Sequence, residues 1–522
     1  MDRRQFLGGT ATAAATLLSG SAGGSDWGSS ASPSPAPATA IQPNEGEWRR
    51  LQRAMAGTLI RPPDPAYSQA HVIFNTRFDA IMPQAVARCV SAADIQAVLE
   101  FAKRHAIRPI PRSGGHSFAG YSTGTGIIVD VEPLNSIQVN GDGTATIGAG
   151  AKLADIYDQL TAQGVSIPSG SCLSLGIAGI AQGGGIGVVD RMYGLTCDAL
   201  VSAQIVTADG RRRECSANEH PDLFWAVRGG GGGNFGVATS FTFQTHTTQD
   251  LTSFGALFQY TDLPSVFAAW QSWLPTLPDS IFAQLILSFL NPNSAPTVVV
   301  RGVSISDQAA LQPYWDRFLA SAQATPVVNE VLVQSYRNTI MAACTGLTVS
   351  QCHIAGQTVD GEIQRVPFAS TSDFYGAPVP PEGIQALMEG IDAARTGGIF
   401  VQIFFDSMGG ALERVAPDAT AFVHRKALFS AEYFMFVLNG QSPGWSNGMR
   451  ARMQAWTTGG AYVNYTDPLI TDWQTAYYGT NYKRLTKVKA KYDPNSLFRF
   501  PQGVAPARFR DDSESREPTG ED

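Results

Sequence analysis

Pro111-Arg112-Ser113-Gly114-Gly115-His116-Ser117 follows directly on the apolar run 107–110. Adjacent glycines after a strand let successive backbone amides turn toward one anion, so the segment reads as a strand entering a phosphate nest. Its spacing is neither GxGxxG nor a Walker loop, which disfavours a Rossmann dinucleotide site and an ATPase. Two further clusters share the first 240 residues. One runs Ser169-Gly170-Ser171-Cys172-Leu173-Ser174-Leu175-Gly176, continues past Gly179, and ends Gly183-Gly184-Gly185-Ile186-Gly187. The other is Arg228-Gly229-Gly230-Gly231-Gly232-Gly233-Asn234-Phe235-Gly236, followed by Val237. Any one could be a turn; three interleaved with short strands favour a large phosphorylated ligand lying against backbone.

Around these loops the pattern is α+β. Helical spacing of Ala93, Ile95, Val98, Leu99 and Ala102 predicts a helix over 91–103, and short apolar runs predict strands over 107–110, 126–131, 144–147, 200–207 and 235–246. From about Leu251 the texture changes, with strands predicted over 298–305, 399–407 and 430–438 and helices over 307–320, 381–395 and 446–458. Antiparallel strands with helices on one face suit a separate domain that supplies a pocket wall. The tail 477–502 carries Tyr478, Tyr482, Leu485 and Val488 at helical spacing and can return to the first domain. The expected division is 1–40 export signal and linker, 48–246 cofactor domain, 247–455 substrate domain, 456–510 returning segment and 511–522 disordered tail.

With 522 residues, 44% hydrophobic and 16% charged, the chain buries large cores, which excludes disorder over most of its length. A net charge of −7 without a basic block speaks against a nucleic-acid binder. Seven scattered histidines without HExxH give zinc little support, so no metal is expected. Six cysteines are too few for a disulfide scaffold, although Cys344 and Cys352 are the easiest pair to bridge. Arg3-Arg4-x-Phe6-Leu7 resembles the twin-arginine export signal, with Asp2 where Ser or Thr is usual. The small-residue run behind it is too short and polar to span a membrane. Cleavage after Ala38-Thr39-Ala40, or near residue 23 or 31, gives a secreted or periplasmic protein, and the twin-arginine likeness implies a cofactor loaded before export.

Arg112-Ser113-Gly114-Gly115-His116, Gly170-Ser171-Cys172, Arg191-Met192-Tyr193-Gly194-Leu195-Thr196, and Asp222 to Arg228 with its glycine cluster resemble the berberine-bridge-enzyme-like flavoproteins. These are FAD-linked oxidases of the vanillyl-alcohol-oxidase or para-cresol-methylhydroxylase type. Asn481-Tyr482-Lys483-Arg484-Leu485 through Asp493-Pro494-Asn495 to Gln502 is similar to that family's terminal segment. The resemblance implies a two-part FAD-binding domain plus an antiparallel substrate domain. It also implies FAD held bicovalently, with His116 on the flavin 8-methyl carbon and Cys172 on C6. Imidazole and thiolate are both nucleophiles suited to this. Arg112, Ser113, Gly114, Gly115, Ser117, Gly176, Gly179, Gly184, Gly187, Gly236 and Val237 are the remaining expected cofactor-binding residues of the glycine clusters. The family's proline after the cysteine is Leu173 here, and the position where a valine is associated with an oxygen gate is Leu175.

Ala461-Tyr462-Val463-Asn464-Tyr465-Thr466-Asp467 resembles the family's substrate-facing Tyr-x-Asn-Tyr motif. Tyr465 matches the catalytic tyrosine, with Tyr462 and Asn464 supporting the flavin; composition alone reads the same stretch as an edge strand with packing tyrosines. Tyr375 is a second catalytic candidate, and His424-Arg425 are expected near the same pocket. Asp406 and Glu432 stand within predicted strands, where a solvent-facing side explains them equally well. The implied reaction is removal of hydride from a hydroxyl-bearing carbon of a sugar or natural product, with electrons passing to O2 or another acceptor. A flavin-dependent oxidative cyclase and a non-catalytic flavin- or carbohydrate-binding protein are the alternatives; an NAD-dependent dehydrogenase ranks below them.

Overall fold

The computed structural model describes residues 42–438 and 440–507. The expected export signal at 1–40 and the expected tail at 511–522 lie outside the described residues.

The helix Ala92–Arg104 starts where the Ser91 hydroxyl caps the Asp94 N–H, and it buries Ile95, Val98, Leu99 and Ala102. It covers a four-stranded sheet ordered Thr58–Ile60, Ala85–Arg88, Ile127–Asp130, Pro109–Arg112, with the last three strands parallel. Ile127–Asp130 is buried at every position, as a central parallel strand must be. The strand expected over 107–110 is displaced to Pro109–Arg112 because the Ile107 N–H still bonds the Ala102 carbonyl as the chain leaves the helix. Two prolines are tolerated there because this strand lies at the sheet edge. Its end delivers the Ser113–Ser117 loop.

A five-stranded antiparallel sheet follows, ordered Ile137–Val139, Thr144–Gly148, Val237–Gln244, Leu200–Val206, Arg212–Ser216. Between the two sheets and the third layer run the other two glycine clusters.

The third layer is a seven-stranded antiparallel sheet: Val328–Gln334, Leu251–Phe258, Thr297–Ser304, Ile281–Phe289, Val401–Ser407, Phe429–Phe436, Phe368–Tyr375. Its two faces differ in chemistry. Leu285, Ile403, Phe405, Ala431 and Tyr433 share a core with the helices Leu263–Trp273, Pro381–Thr396 and Gly444–Met453. The alternate positions Gln284, Gln402, Phe404, Asp406, Glu432 and Phe434 face a cavity. The helix expected over 446–458 is Gly444–Met453 followed by a 3-10 turn, Gln454–Trp456.

The returning segment comprises the helices Trp473–Tyr478 and Tyr482–Tyr492. Lys489, fully buried, donates to the carbonyls of Asn234 and Phe498 at 2.6 and 2.7 Å and to Asp493 at 2.7 Å. Tyr478 donates to the Gly230 carbonyl at 3.0 Å. The segment therefore holds the Gly229–Gly236 cluster in place. Cys344 and Cys352 form a disulfide, with Cα atoms 5.9 Å apart.

Candidate active site

A cavity of about 650 Å³ runs between the glycine clusters and the polar face of the seven-stranded sheet. Of the residues expected from sequence, Arg112 to Ser117, Cys172, Gly176, Gly179, Gly187, Gly236, Val237, Tyr462, Asn464 and Tyr465 line it.

The Ser113–Ser117 loop is fixed from behind. Arg112 donates to Asp130 at 2.8 Å and to the Ala70 carbonyl at 2.6 Å, Ser113 donates to the Ala149 carbonyl, and the Ser117 hydroxyl accepts the Tyr121 N–H. Gly114 and Gly176 lie back to back: a Cβ on Gly114 would stand 2.3 Å from the Gly176 nitrogen. Two strand-to-loop junctions thus approach at a distance that no side chain permits. His116 stacks on Phe74 at 4.1 Å between ring centroids, and its Nε2 lies 2.8 Å from the Ser174 hydroxyl. Burial pushes its imidazole down to about 3, so the ring is neutral. Cys172, whose surface is open to the cavity, stands beside the same hydroxyl, 3.8 Å away; desolvation within the cavity raises its thiol while the Ser174 hydrogen bonds oppose that rise.

Tyr462, Asn464 and Tyr465 occupy a 3-10 turn, Val463–Tyr465, and its preceding residue rather than an edge strand. The Tyr462 hydroxyl accepts the Gly185 and Ile186 N–H groups at 2.7 and 3.2 Å and the Asn464 amide at 2.8 Å, while Asn464 also donates to the Ile180 carbonyl. These contacts bind the turn to the second glycine cluster. Tyr465 stacks on Phe118 at 5.3 Å and stands beside Glu432. Burial, with the neighbouring Glu432, raises the Tyr465 phenol. Burial pushes Glu432 up to about 8, against the hydrogen bond from Ser370 at 2.9 Å and the neighbouring Tyr465 hydroxyl. Asp406 is pushed up to about 6 by burial and accepts from Gln284 at 2.6 Å; the Gln284 carbonyl oxygen in turn accepts from Arg301 at 2.9 Å.

Some expectations fail. Tyr375 does not face the cavity: it follows the cavity-lining Phe368 by seven residues, so strand alternation turns it into the helix-side core, where its hydroxyl meets that of Tyr433 at 2.6 Å. Gly184 lies behind the cavity wall against Phe422, its carbonyl accepting the Cys197 N–H. Arg425 is spent on a bidentate pair with Asp198, and His424 stacks on Phe374; neither lines the cavity. Asp406 and Glu432 face the cavity, not solvent. Gln284, Arg301 and Gln402 were not singled out from sequence; the available signal was isolated polar residues on one face of the largely apolar strands Ile281–Phe289, Thr297–Ser304 and Val401–Ser407.

Residues 83–216 match the FAD binding domain family, and residues 461–505 match the family described as berberine and berberine like. Over 470 residues the chain is 30% identical to the uncharacterized FAD-linked oxidoreductase YgaK of Bacillus subtilis, covering 87% of this chain and 98% of that one. The chain belongs to the berberine-bridge-enzyme-like FAD-linked oxidoreductases. It is also 29% identical over 455 residues to a chitooligosaccharide oxidase of Gibberella zeae, covering 81% of this chain and 87% of that one. Among solved structures, Physcomitrella patens BBE-like 1 superposes with a TM-score of 0.81 at 27% identity, covering 88% of this chain and 99% of that one.

The cavity of this berberine-bridge-like oxidoreductase fits FAD on its own geometry. A Cβ on Gly179 would meet nothing within 4 Å, and one on Gly232 only the Gly179 Cα at 3.8 Å, so both backbones front open space. The buried Arg112 Nη1 and the hydroxyls of Tyr121 and Ser122, all in cavity-lining residues, have no protein partner among the described residues. Open backbone and unspent donors together suit a long ligand that carries phosphate and ribityl oxygens. Among the described residues no helix is long and apolar enough to cross a membrane.

Proposed function

We propose that this enzyme oxidises the CH–OH group of a sugar or hydroxylated natural product, using FAD tethered through His116 and Cys172. The observation that carries the reading is the Tyr465–Glu432 pair, which shares one cavity with both attachment candidates. Bound FAD supplies the two-electron acceptor for the hydride and hands the electrons to O2 or another acceptor. Tyr465 takes the proton of the reacting hydroxyl and passes it to the neighbouring Glu432 carboxylate, which lines the same cavity. The Gln284–Asp406 pair and Gln402 offer amide and carboxylate partners to neighbouring hydroxyls, while Phe404 and Phe434 present rings to C–H faces. Apolar rings interleaved with hydrogen-bonding groups support an oligosaccharide or a glycosylated ring system as the occupant. Export through the Arg3-Arg4 segment belongs to the same reading, supported by the order of charged, apolar and small residues.

The test is Tyr465→Phe. Anaerobic flavin reduction by a turned-over substrate should slow by about 10²- to 10⁴-fold with substrate binding nearly unchanged. Equal loss of binding and reduction would assign Tyr465 a structural role.

A further inference from the structure

Ser174 stands between the two attachment candidates. Its hydroxyl lies 2.8 Å from His116 Nε2 and 3.8 Å from Cys172 Sγ, and the residue is 2% exposed. The backbone on either side of it is pinned, because the Leu173 carbonyl accepts the Ala154 N–H at 2.9 Å and the Leu175 carbonyl accepts the Leu153 N–H at 3.0 Å. Ser174 therefore presents its hydroxyl from a turn bonded to the first residues of the helix Leu153–Thr161. The His116 ring is held on its face by Phe74 and on its edge by Ser174.

A hydroxyl accepts hydrogen bonds and donates one, and a neutral imidazole carries one N–H. If Nε2 carries the proton and gives it to the Ser174 oxygen, the lone pair is left on Nδ1. The serine proton is then available to the cysteine sulfur, and a hydrogen bond to the thiolate favours the charged form. Both polarities are the ones that attachment needs. The reverse arrangement, with Ser174 donating to Nε2, would leave the proton on Nδ1 and no donor for Cys172.

We propose that Ser174 is a positioning residue for flavin attachment: its hydroxyl accepts the Nε2–H of His116 and donates to Cys172, presenting the Nδ1 lone pair and the thiolate to the flavin. The inference rests on the bicovalent reading above. At the histidine, Nδ1 bonds to the 8-methyl carbon in place of one of its hydrogens, which leaves as a proton. The Nε2 proton leaves through Ser174, and dioxygen takes the two remaining electrons and both protons as hydrogen peroxide. At the cysteine, sulfur bonds to C6, the thiol proton and the C6 hydrogen leave as protons, and a second dioxygen is reduced to peroxide. Each link thus consumes one O2 and releases one H2O2.

The experiment follows covalent incorporation when the apo-protein is mixed with FAD in air, read as intact mass after denaturation. Wild type should gain the mass of FAD less four hydrogens. Ser174→Ala should bind FAD but acquire the links about 10- to 100-fold more slowly, as expected for losing a hydrogen bond to a developing charge. Its C6 linkage should also depend on a higher pH, since the thiolate has lost its donor. Ser174→Thr, which keeps the hydroxyl, should recover the rate, while the isosteric Ser174→Val should not. That pair decides the matter even where alanine disrupts the turn. Attachment at the wild-type rate in both alanine and valine variants would overturn the role of Ser174 and leave bicovalent attachment standing. Wild type that releases all of its FAD on denaturation overturns the bicovalent reading itself.

Discussion

At the scale of single residues, the chemistry lies in groups whose proton affinity the fold has moved. Glu432 is held near 8 by burial, so in the proposed relay it can accept a proton from Tyr465 only once it has ionised. kcat/KM should therefore rise as pH increases through about 8, and Glu432→Gln should lose that rise together with most of the rate. The stability consequence has the opposite sign. The folded protein holds this proton more tightly than the unfolded chain, so the contribution to stability is present below about 4.5 and is lost as pH climbs toward 8. Thermal unfolding of Glu432→Gln across that range should show a flatter dependence than wild type. Leu175, three residues after the attachment candidate Cys172, lines the cavity. Trimming it in Leu175→Val should speed re-oxidation of the reduced flavin by O2, on the order of tenfold, equivalent to about 1.4 kcal/mol of barrier. Rapid mixing of reduced enzyme with oxygenated buffer measures this, and an unchanged rate would place oxygen control elsewhere in the cavity wall.

At the scale of elements, the seven-stranded sheet decides which side chains meet the substrate. Strand alternation explains both the loss of Tyr375 from the site and the gain of Gln284, Asp406 and Glu432, because one residue of offset exchanges the helix-packed face for the cavity face. The apolar runs disclosed several of these strands in sequence, but not which face of the sheet would be covered by helices; that depends on where the chain crosses after residue 251. The loops before the sheet were more legible. Gly114 and Gly176 announce close backbone contact by lacking a Cβ, and the structure puts them against each other. The Tyr-x-Asn-Tyr stretch was legible as a motif but not as a 3-10 turn, since its geometry comes from Gly185 and Ile186 amides 276 or more positions away. The returning helix Tyr482–Tyr492 carries its own prediction. Lys489→Met leaves Asp493 buried without its cation, which should cost about 3–5 kcal/mol. A calorimetric scan should show a correspondingly lower Tm, and the Gly229–Gly236 cluster, freed from the Asn234–Lys489 contact, should hold non-covalent FAD less tightly in the His116→Ala/Cys172→Ala background.

At the scale of the molecule, the candidate active site belongs to no single sheet. His116 comes from the end of the four-stranded sheet, Cys172 from the second glycine cluster, Asp406 and Glu432 from the seven-stranded sheet, and Tyr465 from the returning segment. Arg191 reaches from the cofactor side to the carbonyls of Met408 and Leu277, so the two halves are bonded behind the cavity as well as across it. This arrangement explains why the two ends of the chain were readable as motifs and the middle was not. The ends meet a common cofactor whose atoms constrain residue type, whereas the sheet between them meets the substrate through side chains that only the fold aligns. The central claim is that these parts oxidise a hydroxyl-bearing carbon. The most direct measurement is anaerobic mixing of the flavin-loaded enzyme with a panel of oligosaccharides and glycosylated or hydroxylated natural products, followed by product mass. The account predicts that a member of the panel bleaches the flavin in wild type, far more slowly in Tyr465→Phe, and emerges two hydrogens lighter. Bleaching that proceeds equally fast without the Tyr465 hydroxyl, or a product of unchanged mass, would contradict it.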